Sequence, residues 1–288
     1  MKNIGIFYNP VTLGKENSHY LKLCVSFLQK NNINVFILNS QKHKDLENVH
    51  YIDKFEKRIT DLLIVFGGDG TMLLAGKMII AEEIPLLGFN FGKLGFLSSC
   101  EKSGFQNIIQ EVISGNFYTE EEIVLECHLP NRGKKFFAIN DCVIYRGEYP
   151  KLIDVAVYRD DEFIYTIAAD GVIVATPIGS TSYSLSAGGS ILSPKTNVLT
   201  ITPISPQNLF IHPIIVPADA KLSFQLKTET KGVHLNIDGE DLGRVGKDEK
   251  IVVELSQYQI KFVRLPEQSF YKTLREKLFL QNTNTRMK

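Results

Sequence analysis

Three runs of this sequence hold polar residues in patterns that could do chemistry. The first is Gly67-Gly68-Asp69-Gly70-Thr71, set between an apolar run, Leu62–Phe66, and a helical pattern from Met72. Glycines at such a turn let the backbone bend sharply and let a ligand come close to it. A helix start offers N–H groups and a positive dipole end, which suit phosphate. Asp69 at the same place could accept a hydrogen bond from a substrate hydroxyl. The plain alternative is a tight turn with Asp69 as N-cap. Two adjacent glycines and an aspartate after a fully apolar strand favour a ligand turn. The spacing matches neither G-x-x-x-x-G-K-[ST] nor G-x-G-x-x-G, so a Walker or Rossmann phosphate mechanism is not expected.

The second run is Asp170–Gly189, in which an apolar strand, Val172–Ala175, leads through Thr176-Pro177 into a cluster of hydroxyls. Thr181, Ser182 and Ser186 could bond a base or phosphate, and Tyr183 could stack on a planar ring. Alternatively the hydroxyls cap a helix that Gly188-Gly189 end. A G-x-S-x-G elbow is missing, which excludes the usual serine hydrolase arrangement. The third run is Asn140-Asp141, inside a strand-like stretch, Phe136–Tyr145. Adjacent strand residues point to opposite faces, so both reach one ligand only at a strand end or bulge. A solvated turn explains the pair as well.

The elements that must position these residues fall into two kinds. Up to about residue 100, strand and helix signals alternate: Ile4–Tyr8, a helical pattern through Tyr20, Cys24 and Leu28, Asn34–Leu38, Leu62–Phe66, Met72–Ile80 and Pro85–Phe89. Such alternation predicts a doubly wound, Rossmann-like α/β layer, with ligands beyond the carboxyl ends of its strands. From 101 to 265, after one helix at Phe105–Ile113, strand signals dominate: Phe136–Tyr145, Ile153–Tyr158, Phe163–Ile167, Val172–Ala175, Val198–Thr202, Lys221–Leu226, Val233–Ile237, Ile251–Glu254 and Tyr258–Phe262. A mostly antiparallel β domain follows, with Asp160-Asp161 as a hairpin turn. Residues 266–288 read as an amphipathic helix, Phe270–Leu280, and a frayed polar tail, Gln281–Lys288.

Bulk properties exclude several classes. The 288 residues are 44% hydrophobic and 22% charged, with 32 basic and 32 acidic side chains, so no global field attracts nucleic acid or an anionic membrane. The first ten residues have too short an apolar run for a signal peptide. Nowhere does an apolar stretch approach the roughly 20 residues of a membrane helix. Four scattered cysteines and six histidines form neither C-x-x-C nor H-E-x-x-H, so no protein-built metal site is expected and a reducing cytoplasm is.

Together the three runs resemble the NAD kinase family, over most of the chain. GGDGT with Leu86–Leu97, Asn140-Asp141 with Arg146-Gly147, and Asp170–Gly189 stand in the family's order, followed by Thr202–Pro206, Pro213–Pro217 and Asp238-Gly239. GGDGT alone is shared with diacylglycerol and sphingosine kinases; the Asp170–Gly189 block separates NAD kinases from these. The resemblance implies transfer of a phosphoryl group from ATP with Mg²⁺, or from polyphosphate, to the 2′-hydroxyl of the adenosine ribose of NAD. Asp69 would orient that hydroxyl and take its proton late, its pKa lowered by the helix terminus. Gly67, Gly68, Gly70 and Thr71 would form the phosphate turn, and Asn140 and Asp141 would hold adenosine. Asp170 would contact the nicotinamide end, and Thr181, Ser182, Tyr183, Ser184, Leu185 and Ser186 would line the dinucleotide site with Lys151 and Ala168. A neighbouring subunit completes the site in the family, which implies a homodimer or homotetramer.

This sequence departs from the family's pattern at a few places. Asp141 replaces the usual Glu, Ile178 a hydroxyl residue, Ala168 a basic one, and Gln207-Asn208 and His212 the usual His and Arg. Lys151 could supply the charge absent at 168. Two rival readings are a lipid kinase of the diacylglycerol type and a dinucleotide sensor that binds without transfer. Neutral charge offers the first no support, and retention of Asp69 argues against the second.

Overall fold

A computed structural model describes residues 1–43, 45–90, 95–98, 100–101, 104–148, 150–227, 232–266 and 268–279. The chain divides into two compact units: Met1–Glu121 with the chain from Ile260 on, and Glu122–Gln259.

The first unit is built on parallel strands. β1 (Asn3–Tyr8), β2 (Asn34–Leu38), β3 (His50–Ile52), β4 (Leu62–Phe66), β5 (Leu86–Asn90) and β6 (Cys100–Glu101) alternate with α1 (Pro10–Lys30), α2 (Asp69–Ile79) and α3 (Phe105–Ile113). The order runs β6-β5-β4-β1-β2-β3, every pair parallel. All five residues of β4 are buried, as expected of a strand covered on both faces. Ile4, Ile6, Ile64, Phe66 and Phe89 share one core with Leu21, Leu28, Phe105, Ile109 and Val112 from the helices. The α/β layer predicted from alternation is present.

The second unit is antiparallel. β7 (Tyr118–Leu129) begins just before it and pairs with β8 (Lys134–Ala138). The remaining elements are β9 (Asp141–Tyr145), β10 (Ile153–Arg159), β11 (Glu162–Ala169), β12 (Gly171–Ala175), α4 (Tyr183–Ser186), β13 (Val198–Ile204), β14 (Ile214–Pro217), β15 (Leu222–Leu226), β16 (His234–Ile237), β17 (Glu240–Arg244) and β18 (Lys250–Arg264). One sheet has the order β14-β13-β12-β9-β16-β17; in the other, β11-β10-β15-β18 lie side by side. Alternate residues from both enter one core: Cys142 and Ile144, Val172 and Val174, Leu199 and Ile201 from the first, with Val155 and Val157, Leu222, Phe224 and Leu226 from the second. This is the period-2 pattern of two packed sheets. Asp160 and Asp161 turn the β10–β11 hairpin at φ 48° and 67°.

Several bounds differ from those expected. The first unit runs past residue 100 because Phe105, Ile109 and Val112 of α3 lie one helical turn apart and pack into its core. It also takes back the end of β18, whose Phe262 pairs with Leu86 and whose Val263 joins the same core. The stretch Phe136–Tyr145 is two strands broken at Ile139-Asn140, whereas Ile251–Glu254 and Tyr258–Phe262 are one strand of 15 residues. β3, β6, β7, β14 and β17 gave no clear signal; β7 opens on exposed Tyr118-Thr119, and its alternation starts only at Ile123. The last helix is shorter than predicted: α5 (Phe270–Leu274) passes into a π-helical turn, Arg275–Phe279. Leu280 and the tail Gln281–Lys288 lie outside the described residues, as do Phe91–Leu94 of the Leu86–Leu97 block.

Ile64, fully buried at the centre of β4, gives a graded test of this packing. Ile64→Val should destabilise the first unit by about 0.5–1.5 kcal/mol and Ile64→Ala by about 2–5. Urea midpoints of the two variants read this; equal, negligible losses would contradict a close-packed β4.

Candidate functional site

In the first unit the GGDGT run joins β4 to α2 at the carboxyl edge of the parallel sheet. Gly67 sits at φ 154°, and a Cβ there would lie 2.3 Å from Thr71 Oγ1. That glycine serves the turn itself. A Cβ at Gly68 would lie in ordinary contact with Asn90 Nδ2 at 3.6 Å, and one at Gly70 would meet nothing within 4 Å, so the backbone at Gly70 faces open space where a ligand can approach. The Thr71 side chain is buried against Gly67.

Asp69 opens α2, and its carboxylate is densely held. Oδ1 accepts from the N–H groups of Leu97 and Ser98, both at 3.1 Å, and from the Ser98 hydroxyl at 3.0 Å. Oδ2 accepts from the Phe96 N–H at 3.0 Å and faces the Lys277 ammonium at 3.5 Å. Asn90 in turn donates to the Ser98 oxygen at 3.2 Å. The loop reaches this close only because residue 95 is glycine; a Cβ there would fall 1.9 Å from Asp69 Oδ1. Burial opposes ionisation of Asp69, but the Ser98 N–H, the Lys277 charge, the Phe96 N–H and the Ser98 hydroxyl outweigh it and hold the pKa below its ordinary value. The lowering expected from the helix terminus thus has its named sources in the loop and in Lys277. Gly95 stands within the Leu86–Leu97 block, but nothing in the sequence pointed to Ser98 or Lys277.

The same sheet edge carries a cavity of about 460 Å³, beside the ends of β1 and β2, lined among others by Tyr8, Pro10, Leu13, Ser18, Gln41 and His43. Gln41 is buried, and its Oε1 has no hydrogen-bond partner. No sequence signal marked this cavity.

In the second unit Asn140 and Asp141 occupy the break between β8 and β9, the strand-end position that lets neighbours serve one ligand. The break is fixed by Asp238, whose carboxylate accepts from the N–H groups of Ile139, Asn140 and Asp141 at 2.9, 2.7 and 3.0 Å. Asp238 and Gly239, at φ 49° and 86°, form the β16–β17 turn. Thr176 Oγ1 donates to Ile139 O at 2.7 Å and accepts from Gly179 N–H at 3.1 Å, which brings the turn after β12 onto Asn140. Gly179 must be glycine, since a Cβ would lie 2.0 Å from Asn140 O. Asn140 Oδ1 is left buried without a partner, an acceptor that a ligand N–H would satisfy.

The other expected residues divide by exposure. Ser182, Tyr183 and Ser186 are exposed, Thr181 and Leu185 half-buried, on a short 3₁₀ turn and α4 rather than a long helix. Thr181 Oγ1 donates back to Ile178 O at 3.0 Å. Ser184 is fully buried, with its hydroxyl 2.9 Å from Thr202 Oγ1, and packs α4 onto the sheet. Asp170 links β11 to β12 and pairs with Arg146 Nε at 2.6 Å. Ala168, half-buried on β11, accepts at its carbonyl from Gln207 N–H, and Lys151 is exposed just before β10.

Among the described residues one group has metal-ligating types within 4.8 Å of one another, Glu126, His128 and Glu254. Lys135 holds Glu126 at 2.6 Å and Lys221 lies 3.8 Å from Glu254, so ammonium charge already balances it. Cys127 and Cys142, distant in sequence, meet at 3.4 Å as buried thiols. No helix among the described residues is long and apolar enough to cross a membrane.

Folding lowers the pKa of Asp69, so its contribution to stability is present above the ordinary value of 3.8 and is lost as pH falls through the lower folded value. Asp69→Asn should therefore lose less stability than the parent between neutral pH and about pH 3. Urea midpoints across that range read it, and parallel curves for the two proteins would contradict it.

Comparison with known proteins bears on both halves. The family model described as ATP-NAD kinase N-terminal domain matches residues 4–117, and that described as ATP-NAD kinase C-terminal domain matches 139–265. The chain is 38% identical over 230 residues to an NAD kinase of Carboxydothermus hydrogenoformans, covering 79% of this chain and 82% of that one. It is 33% identical to an NAD kinase of Bdellovibrio bacteriovorus, covering 98% and 93%. Yeast NADH kinase solved with NADH superposes with a TM-score of 0.85 at 29% identity, over 100% of this chain and 90% of that one. An NAD kinase from Archaeoglobus fulgidus solved with ATP shares the fold, with a TM-score of 0.73 at 22% identity over 96% and 97%. With matches along almost its whole length, this chain belongs to the NAD kinase family.

Proposed function

We propose that this protein is a cytoplasmic enzyme that makes NADP, moving the terminal phosphoryl group of ATP, or of polyphosphate, onto the 2′-hydroxyl of the adenosine ribose of NAD. The observation that carries the reading is the Asp69 carboxylate: ionised, held at both oxygens, and set beside Gly70, whose backbone faces open space. Phosphoryl transfer needs position and charge more than covalent work by the protein. A carboxylate with a lowered pKa is a weak base, so Asp69 orients the hydroxyl first and takes its proton late, as the new P–O bond forms.

Each unit supplies groups suited to one part of the substrates. The N–H groups at the start of α2 suit the donor phosphates, and the cavity beside Tyr8 and Gln41 suits the donor's base and ribose. Magnesium enters with the donor, on its phosphate oxygens; Asp69, already surrounded by donors, is poorly placed to build a protein cage for it. In the second unit, the unpartnered Asn140 Oδ1 suits the amino group of adenine, and Asp141 its ribose. Exposed Tyr183 suits stacking, with Thr181, Ser182 and Ser186 around it, and Asp170 with Arg146 suits the nicotinamide end. In this reading Lys151 and Ala168 would border it. Exposed Leu209, Phe210 and Ile215 support self-association into a dimer or tetramer.

Asp69→Asn keeps the shape of the side chain but removes its charge and its proton-accepting oxygen. It should bind NAD with little change while kcat falls by about 10²–10⁴-fold. Calorimetric titration with NAD, paired with an assay of NADP formation, tests this; near-normal turnover removes Asp69 from the chemistry. Asn140→Leu should act the other way, raising KM for NAD by about tenfold with a smaller effect on kcat, because it removes one hydrogen bond to bound adenine. An unchanged KM would displace Asn140 from the adenosine site.

A further inference from the structure

The C-terminal turn of the first unit touches the one carboxylate on which the proposed chemistry rests. Phe270, the first residue of α5, packs on Phe96 with ring centroids 6.0 Å apart. Seven residues later the π-helical turn sets Lys277 Nζ 4.6 Å from the centroid of the same Phe96 ring and 3.5 Å from Asp69 Oδ2. The Lys277 side chain is 27% exposed, and Phe96 is the residue whose N–H donates to that oxygen. One lysine therefore contacts both Asp69 and the loop that binds it.

The two carboxylate oxygens are not equivalent. Oδ1 has three donors within 3.1 Å, whereas Oδ2 has one N–H at 3.0 Å and the ammonium at 3.5 Å. Oδ2 has the fewer hydrogen-bond donors and so the greater capacity to accept one from an incoming hydroxyl, and Lys277 stands at its side. A cation over an aromatic face adds a directional contact to the ion pair. We propose that Lys277 is a positioning residue of the transfer reaction, fixing the Asp69 carboxylate through Oδ2 and clamping the Phe96–Ser98 loop against it. The inference rests on Asp69 being the group that orients the acceptor hydroxyl.

Among the described residues, the groups facing this carboxylate are the Lys277 ammonium, the Ser98 hydroxyl and the N–H groups of Phe96, Leu97 and Ser98, and Lys277 is the charged one. Its loss removes a favourable charge from the ionised form, so Asp69 gains a proton at higher pH than in the parent. Two variants separate this role from simple packing. Lys277→Met keeps the apolar stem over Phe96 and removes the charge, while Lys277→Arg restores it.

The test measures kcat, KM for NAD and the pH profile of kcat/KM for both variants and for Asp69→Asn, with melting temperatures recorded for each. Lys277→Met should lower kcat by about 10–100-fold, change KM for NAD less than about threefold, and move the acid limb to higher pH; Lys277→Arg should recover most of kcat and the parent's limb. A Lys277→Met protein with the parent's kcat and limb overturns the inference. So does equal loss in both variants with an unmoved limb, which would make the lysine only a brace. If Asp69→Asn itself keeps normal turnover, the assignment of Asp69 fails, whatever Lys277 does.

Discussion

The hydrogen bonds between the Asp69 carboxylate and three successive backbone N–H groups, Phe96 to Ser98, are the constraint on which the chemistry proposed for the first unit depends. They tie the turn after β4 to the loop after β5, two segments that meet only because β4 and β5 are parallel neighbours. An ionised carboxylate even partly buried is costly alone; donors on both oxygens offset that cost and hold it in one orientation. The second unit repeats the device. Asp238 gathers the N–H groups of Ile139, Asn140 and Asp141 and so fixes the strand break at which the Asn140 side chain keeps an unused acceptor. In both units an aspartate organises backbone by accepting from successive N–H groups.

Such arrangements make a consistent picture of how a weak base can serve an alcohol. The donors that hold Asp69 also lower its pKa, which costs basicity and secures geometry. In the proposed mechanism, proton transfer to Asp69 then follows bond formation, when the attacking oxygen has become acidic. Gly95 illustrates how narrow the tolerance is, since one methyl group there would occupy the space of the carboxylate oxygen itself.

Much of this was legible in the sequence where the signal is local. Leu62–Phe66 is apolar throughout because a parallel strand is covered on both faces, and the glycines after it mark the turn. The Asp160-Asp161 hairpin announced itself by its turn residues. Other features depend on contacts that local pattern does not record. The burial of the Thr71 and Ser184 side chains, for one, comes from packing that the sequence pattern does not show. β18 reads as two strands because Leu255-Ser256-Gln257 interrupts its alternation, but pairing carries the strand through. Lys277 is one of the two lysines on a helix that its pattern marks only as amphipathic; the fold brings it back to Asp69 from 208 positions away, the separation of 277 and 69. The strand break at Asn140 had a sequence cue in the paired polar residues, although its fastening by Asp238 did not.

The central claim is that the chain phosphorylates the 2′-hydroxyl of the adenosine ribose, and ³¹P NMR of the reaction of the purified protein with NAD and MgATP tests it most directly. The account predicts a phosphomonoester signal coupled to the adenosine 2′ proton that grows in step with ADP. ADP released without that ester, or an ester at another hydroxyl, would contradict it.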